Sequence, residues 1–298
     1  MGFFNIKGVI PPVITPFKEN GQVDFEAFEK NILKWNDTGL SGYLILGSNG
    51  ETPYIRETDK LKLVEIAKKN AAKDKYVFVG TGLESTGATI ELTNKMAALG
   101  ADATLVLTPG FFKDQMDEQA LTQYYTQVAD NSAIPVLIYN ATKFTGVNIP
   151  AGAVSKLSQH PNIIGMKDSA GNIAQFMSFY TAGLADEFNM ILGSASTWYP
   201  SLTIGIKTGI MALANCCPAA CVQVQTLFEA GNYEASFALY KRLFPVNACV
   251  TGKLGVAALK YACTRLSYEG GSVCAPLLPL TAAQKKSVDD VLQKAELI

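Results

Sequence analysis

The chain has 298 residues, 48% hydrophobic and 17% charged, with a formal net charge of −1. That balance is far from the low-hydrophobicity, high-charge signature of a disordered chain. It leaves no electrostatic footprint for nucleic acid or an anionic membrane, and no apolar run approaches the roughly 20 residues that span a bilayer.

The first residues, MGFFNIKGVIPPVITPF, lack the basic region, long apolar core and small-residue cleavage site of a signal peptide. Met1-Gly2 begins like a myristoylation site, but Asn5 and Ile6 do not complete the pattern. Short apolar, β-branched runs then recur at 9–15, 43–46, 76–80, 104–108, 136–139, 163–167, 190–193 and 209–213. They do not alternate with polar residues, as suits parallel strands buried on both faces. Between them lie stretches of helical period at 25–38, 61–72, 86–99, 119–130, 151–158 and 173–183. The first of these has Asp24 as N-cap and Gly39 as a stop.

Eight strand–helix units predict a (β/α)8 TIM barrel over residues 1–229. A doubly wound sheet is the weaker reading, because Pro11-Pro12 stands where a glycine fingerprint would follow the first strand. Beyond Ala214 the strand signal fades and helices are predicted at 218–230, 233–244, 254–266 and 281–295. Residues 230–298 thus read as a C-terminal helical extension.

Six cysteines with no sign of export predict reduced thiols and a cytoplasmic protein. Cys216, Cys217 and Cys221 cluster, but zinc sites draw on paired ligand motifs or histidines, and His160 is the chain's one histidine. They read as small buried hydrophobes, with no metal expected.

Barrel enzymes carry their reacting groups at the C-terminal ends of strands. Lys167 closes the sixth run, in Gly165-Met166-Lys167-Asp168-Ser169. A lysine there either pairs with a carboxylate or loses its proton through desolvation, becoming an amine able to condense with a ketone. Tyr139 closes the fifth run; its phenol is either a proton relay or a core tyrosine with a satisfied hydroxyl. The second run ends in Gly47-Ser48-Asn49-Gly50-Glu51, either a plain tight turn or a cradle in which Ser48, Asn49 and Gly50 hold a carboxylate. Together the three ends describe a site for a 2-oxo acid whose iminium is its own electron sink, with no cofactor needed.

These motifs, in this order along nearly the whole chain, resemble the dihydrodipicolinate synthase / N-acetylneuraminate lyase family of Schiff-base aldolases. Glu84-Ser85-Thr86, the stretch 157–169, Ala212-Leu213-Ala214-Asn215 and the stretch 245–251 look most like the 4-hydroxy-2-oxoglutarate aldolases of that family. The resemblance implies Lys167 as the Schiff-base lysine, Tyr139 as the proton relay, and Ser48 and Asn49 at the pyruvate carboxylate. It implies a lyase that cleaves or forms a 4-hydroxy-2-oxo acid, to or from pyruvate or glyoxylate plus an aldehyde. The alternatives are a dihydrodipicolinate synthase, an aldolase or dehydratase of 2-oxo-3-deoxy sugar acids, and a non-catalytic 2-oxo-acid-binding relative. It also implies a homotetramer built as a dimer of dimers.

Departures from the family pattern bear on the acceptor. Phe111 stands where the family has a tyrosine that reaches the neighbouring subunit's relay, and Phe144 where dihydrodipicolinate synthases have an arginine for the second substrate's carboxylate. Thr142 replaces a proline in the same loop. Gly193 and Ser194, after the seventh run, offer a hydroxyl where sugar-acid aldolases carry an acid, which favours a short acceptor with few hydroxyls.

Overall fold

The computed structural model describes residues 5–298, so Met1 and Gly2 lie outside the described residues. Eight strands form one sheet: β1 Gly8–Ile10, β2 Gly42–Ile45, β3 Tyr76–Gly80, β4 Ala103–Leu107, β5 Val136–Asn140, β6 Ile163–Asp168, β7 Asn189–Leu192 and β8 Thr208–Ile210. Their order is β1-β8-β7-β6-β5-β4-β3-β2, and a parallel bridge joins Pro12, just after β1, to Leu44 of β2. This is the (β/α)8 barrel expected from the sequence.

The helices among the described residues are α1 Phe25–Trp35, α2 Glu57–Asn70, α3 Thr86–Ala98, α4 Glu118–Asp130, α5 Thr142–Thr145, α6 Ala151–Ser158, α7 Ile173–Thr181, α8 Trp198–Thr203, α9 Pro218–Glu229, α10 Tyr233–Asn247, α11 Val256–Arg265 and α12 Ala282–Lys294. Their starts follow local chemistry. Asp24, Ser85, Asp117 and Asn172 accept from backbone N–H groups in the first turns of α1, α3, α4 and α7, and Thr281 and Gln284 form a capping box on α12. Two expectations are corrected. The helix at α1 stops at Trp35 rather than at Gly39, and α10 runs through Pro245 and passes into a π turn at Ala248–Lys253.

The chain divides into two compact units. One comprises Phe78–Gly209 with Asn5–Lys7. Its core holds Phe78, Val79, Leu105, Ile138, Met166 and Ile191, all at most 2% exposed. The other comprises Gly8–Val77 and Ile210–Ile298. There the predicted first strand is cut short, because Pro11 and Pro12 bring no N–H to a ladder. The segment still pairs with Leu44 through the Pro11 carbonyl and the Val13 N–H, and the fully buried side chain of Asn215 serves its other backbone groups: it accepts from the Ile14 N–H at 3.0 Å and donates to the Pro12 carbonyl at 3.0 Å. Trp35, on α1, donates to the Asn215 carbonyl at 3.1 Å.

Cys216, Cys217, Cys221 and Cys263 are buried, and burial pushes the Cys221 thiol well above its ordinary range. Among the described residues no group of three or more His, Cys, Asp or Glu side chains gathers as a metal set. His160 is structural: Nε2 meets Asp130 Oδ1 at 3.0 Å, and Nδ1 accepts from the Asn162 N–H at 3.1 Å. No helix among the described residues is long and apolar enough to cross a membrane.

Candidate active site

In the unit that holds β4 to β7, strands β5 and β6 set Tyr139 directly opposite Lys167 and Asn140 opposite Asp168. Side chains alternate across a sheet, so Tyr139 and Lys167 share one face and Asn140 and Asp168 the other. Lys167 is 3% exposed, and its ammonium nitrogen lies 4.3 Å from the centroid of the Tyr139 ring. Among the described residues no carboxylate pairs with it. Burial in this apolar wall pulls its pKa below the usual 10.5 of a lysine, against an opposing pull from Tyr139.

The acid next in sequence is engaged elsewhere. Asp168 Oδ1 accepts from Asn140 Nδ2 at 2.7 Å and from Gln175 Nε2 at 3.0 Å, and Oδ2 accepts from the Ala170 N–H at 3.3 Å. Burial raises the Asp168 pKa, and these bonds oppose the rise. Lys167 is thus buried beside the Tyr139 ring, and the neighbouring Asp168 carboxylate is satisfied by other donors.

Gly193, just after β7, donates its N–H to the Asp168 carbonyl at 2.7 Å. A Cβ there would sit 2.9 Å from Ser169 Cα, so only glycine lets the two strand ends approach this closely. Ser194 bonds to Ser196 at 2.7 Å between hydroxyl oxygens. Phe144, on α5, is 61% exposed, and Phe111 is 77% exposed and meets Phe112 edge to face at 5.0 Å. The loop that carries Phe111 is held by Glu84, whose carboxylate accepts from the N–H groups of Gly110 and Phe111 at 3.1 and 3.0 Å. Glu84 stood out in the sequence only as part of a matching stretch, with nothing there to signal this role.

In the other unit, β2 runs into a sharp turn. Leu46 takes a left-handed conformation at φ 60°, Ser48–Gly50 form one 3-10 turn, and Glu51 is left-handed again at φ 57°. For residues with a side chain each such position costs roughly 1–2 kcal/mol, so the surrounding structure must enforce them. Gly50 is tightly placed: a Cβ would crowd the Val13 carbonyl at 3.1 Å. The side chains of Ser48 and Asn49 are half-buried at the turn. The structure thus brings Lys167 and Tyr139 together, places Gly193 beside the end of β6, and gives Ser48, Asn49 and Gly50 a strained turn of their own.

Comparison with known proteins gives this arrangement a family. Residues 5–295 match the Dihydrodipicolinate synthetase family. The 4-hydroxy-tetrahydrodipicolinate synthase of Methanothrix thermoacetophila is 31% identical over 288 residues, covering 97% of this chain and 96% of the relative. A dihydrodipicolinate synthase from Acinetobacter baumannii, solved in complex with pyruvate, superposes with a TM-score of 0.93 at 25% identity, covering 99% of this chain and 100% of that one. Dihydrodipicolinate synthase from Aquifex aeolicus superposes with a TM-score of 0.90 at 28% identity, covering 98% of this chain and 99% of that one. These relatives do not support the particular closeness to 4-hydroxy-2-oxoglutarate aldolases that the sequence suggested. The chain belongs to the dihydrodipicolinate synthetase family, and it is an enzyme of the pyruvate-dependent, Schiff-base class I aldolase kind.

Proposed function

We propose that Lys167 Nζ adds to the keto carbon of pyruvate, that water leaves, and that the resulting iminium loses a proton from the pyruvate methyl to give an enamine. The enamine attacks an aldehyde carbon to form a carbon–carbon bond, or is released when that bond breaks in the reverse direction. Hydrolysis then frees the lysine. Tyr139 moves the protons of carbinolamine formation and dehydration, and Ser48 and Asn49, with Gly50 giving the backbone room, hold the carboxylate.

The observation that carries this reading is an amine buried to 3% exposure, without a counter-carboxylate, 4.3 Å from a phenol ring. Borohydride reduction in the presence of pyruvate tests it. Expected is a gain on Lys167 of one pyruvate plus two hydrogens less one water, and no gain in Lys167→Ala. An unlabelled wild-type protein would remove Lys167 from this role.

For the acceptor, the shared name of the relatives supports a synthase-type condensation over cleavage of 4-hydroxy-2-oxoglutarate. One observation favours a second reading. Phe144 presents an exposed ring, with Phe111 and Phe112 on the β4 loop, and offers no charge to an acceptor carboxylate. That suits an aldolase of 4-hydroxy-2-oxo acids with an apolar aldehyde half, and Gly193 and Ser194, which bring no acid, suit a short or less hydroxylated one. Product masses from pyruvate with aspartate semialdehyde, glyoxylate and aromatic aldehydes decide between the two. The exposed Phe111–Phe112 pair supports a contact with another subunit, such as a homotetramer would have, and the free thiols support a cytoplasmic setting. We read 1–229 as the catalytic barrel and 230–298 as its extension.

A further inference from the structure

Glu51, the last residue of the Gly47–Glu51 motif, is buried together with Lys260 of α11. The two side chains form an ion pair, each only 1% exposed. Glu51 Oε2 also accepts from the Cys274 N–H at 2.8 Å, across 223 residues of chain. Lys260 donates to the Ser272 carbonyl at 2.6 Å, and its nitrogen lies 4.5 Å from the centroid of the Phe17 ring. Ser272 in turn bonds to Phe17 through its N–H at 2.8 Å. Gly271, at φ 65°, lets this segment lie against Pro16 and Phe17, where a Cβ would stand 2.9 Å from backbone atoms.

A buried ion pair is poor evidence for stability, since apolar residues of the same size usually serve as well. What this pair does is geometric. It grips the one side chain at the left-handed joint between two 3-10 turns. The Glu51 N–H donates to the Ser48 carbonyl at 3.1 Å, so holding Glu51 sets the orientation of the Ser48–Asn49 turn.

We infer that Lys260 and Glu51 are positioning residues for pyruvate: a buried strut from the C-terminal helices that holds the Ser48–Asn49 turn in its carboxylate-binding shape. This rests on the proposed role of Ser48 and Asn49. The strut acts on recognition of the carboxylate and leaves the chemistry at Lys167 untouched.

The test is the pyruvate concentration that half-saturates borohydride trapping on Lys167, measured beside the limiting trapping rate and Tm. In the charge-free double variant Glu51→Gln/Lys260→Met, half-saturation should rise about tenfold while the limiting rate stays within about threefold. A folded double variant with wild-type half-saturation overturns the inference. Lys260→Gln, which keeps a donor for the Ser272 carbonyl, is the milder variant. Its half-saturation should rise about threefold or more, and an unchanged value is equally fatal. Ser48→Ala and Asn49→Ala separate the failures. If they weaken pyruvate binding and the strut variants do not, the strut alone is wrong. If they also leave it unchanged, the carboxylate reading of the turn falls and takes the strut with it. If wild type takes no label, the lysine mechanism itself is wrong.

Discussion

A lysine held 3% exposed with no carboxylate partner must find its stability without its charge. Burial lowers the Lys167 pKa below 10.5, so the reactive neutral amine is present over more of the working pH range. Pyruvate trapping should therefore rise with pH on a limb whose midpoint lies below 10.5. Tyr139 opposes the lowering. Tyr139→Phe should thus move the midpoint to still lower pH while turnover falls, as read from trapping and turnover profiles on one buffer series. A midpoint moved upward would remove Tyr139 from this electrostatic role. The same burial has a stability consequence. With the folded pKa below the unfolded one, the unfolded chain binds more protons, so Lys167 penalises the fold fully below its folded pKa, and the penalty fades as pH rises from there to the ordinary 10.5 of the unfolded chain. Lys167→Met should abolish trapping and leave Tm at neutral pH equal to or above wild type, the opposite of what loss of a structural ion pair would do.

At the scale of an element, what matters is register. Tyr139 faces Lys167 only because β5 and β6 pair without a one-residue slip at their C-terminal ends. Asn140 locks that end: Nδ2 donates to Asp168 Oδ1 at 2.7 Å and to Asn148 Oδ1 at 2.8 Å, and Oδ1 accepts from the Ile149 N–H at 3.2 Å. Asn140→Ala leaves the Asp168 carboxylate one donor short in a buried site, a loss of about 1–3 kcal/mol. Urea unfolding should show it as a lower midpoint with an unchanged slope; an unchanged midpoint would deny Asn140 this role. Much of this was legible beforehand. The apolar run of β6 and the lysine at its end were plain, because a parallel strand shows its burial as a continuous apolar run. The partner of Asp168 was not, because Gln175 reaches it from the next helix and Asn140 from the next strand. Nor was the end of β2 at Ile45, since Leu46 is as apolar as a strand residue and only its left-handed backbone sets it apart.

Across the whole molecule, the alternation of short apolar runs with amphipathic stretches revealed the barrel, because every βα unit repeats the same local demands. The long-range ties left no such trace. One compact unit draws on Gly8–Val77 and on Ile210–Ile298, sequences far apart and without any shared pattern. Within it, Asn31 bonds to Glu269 through its amide and carbonyl groups, each at 2.8 Å, and Lys34 reaches the Ser267 carbonyl at 2.5 Å. Trp35 stacks on Tyr268 at 5.6 Å, and the Glu51–Lys260 pair is buried in the same unit. Removing residues 230–298 would strip all these partners at once. Each hydrogen bond lost in this way is worth about 0.5–1.5 kcal/mol, against a total stability of about 5–15 kcal/mol for a domain. A chain ending at residue 229 should therefore lack a cooperative thermal transition and bind dyes of exposed apolar surface, and adding the 230–298 peptide in trans should not restore trapping on Lys167. A truncated chain that melts cooperatively and still takes the pyruvate label would show that the extension is dispensable to the barrel.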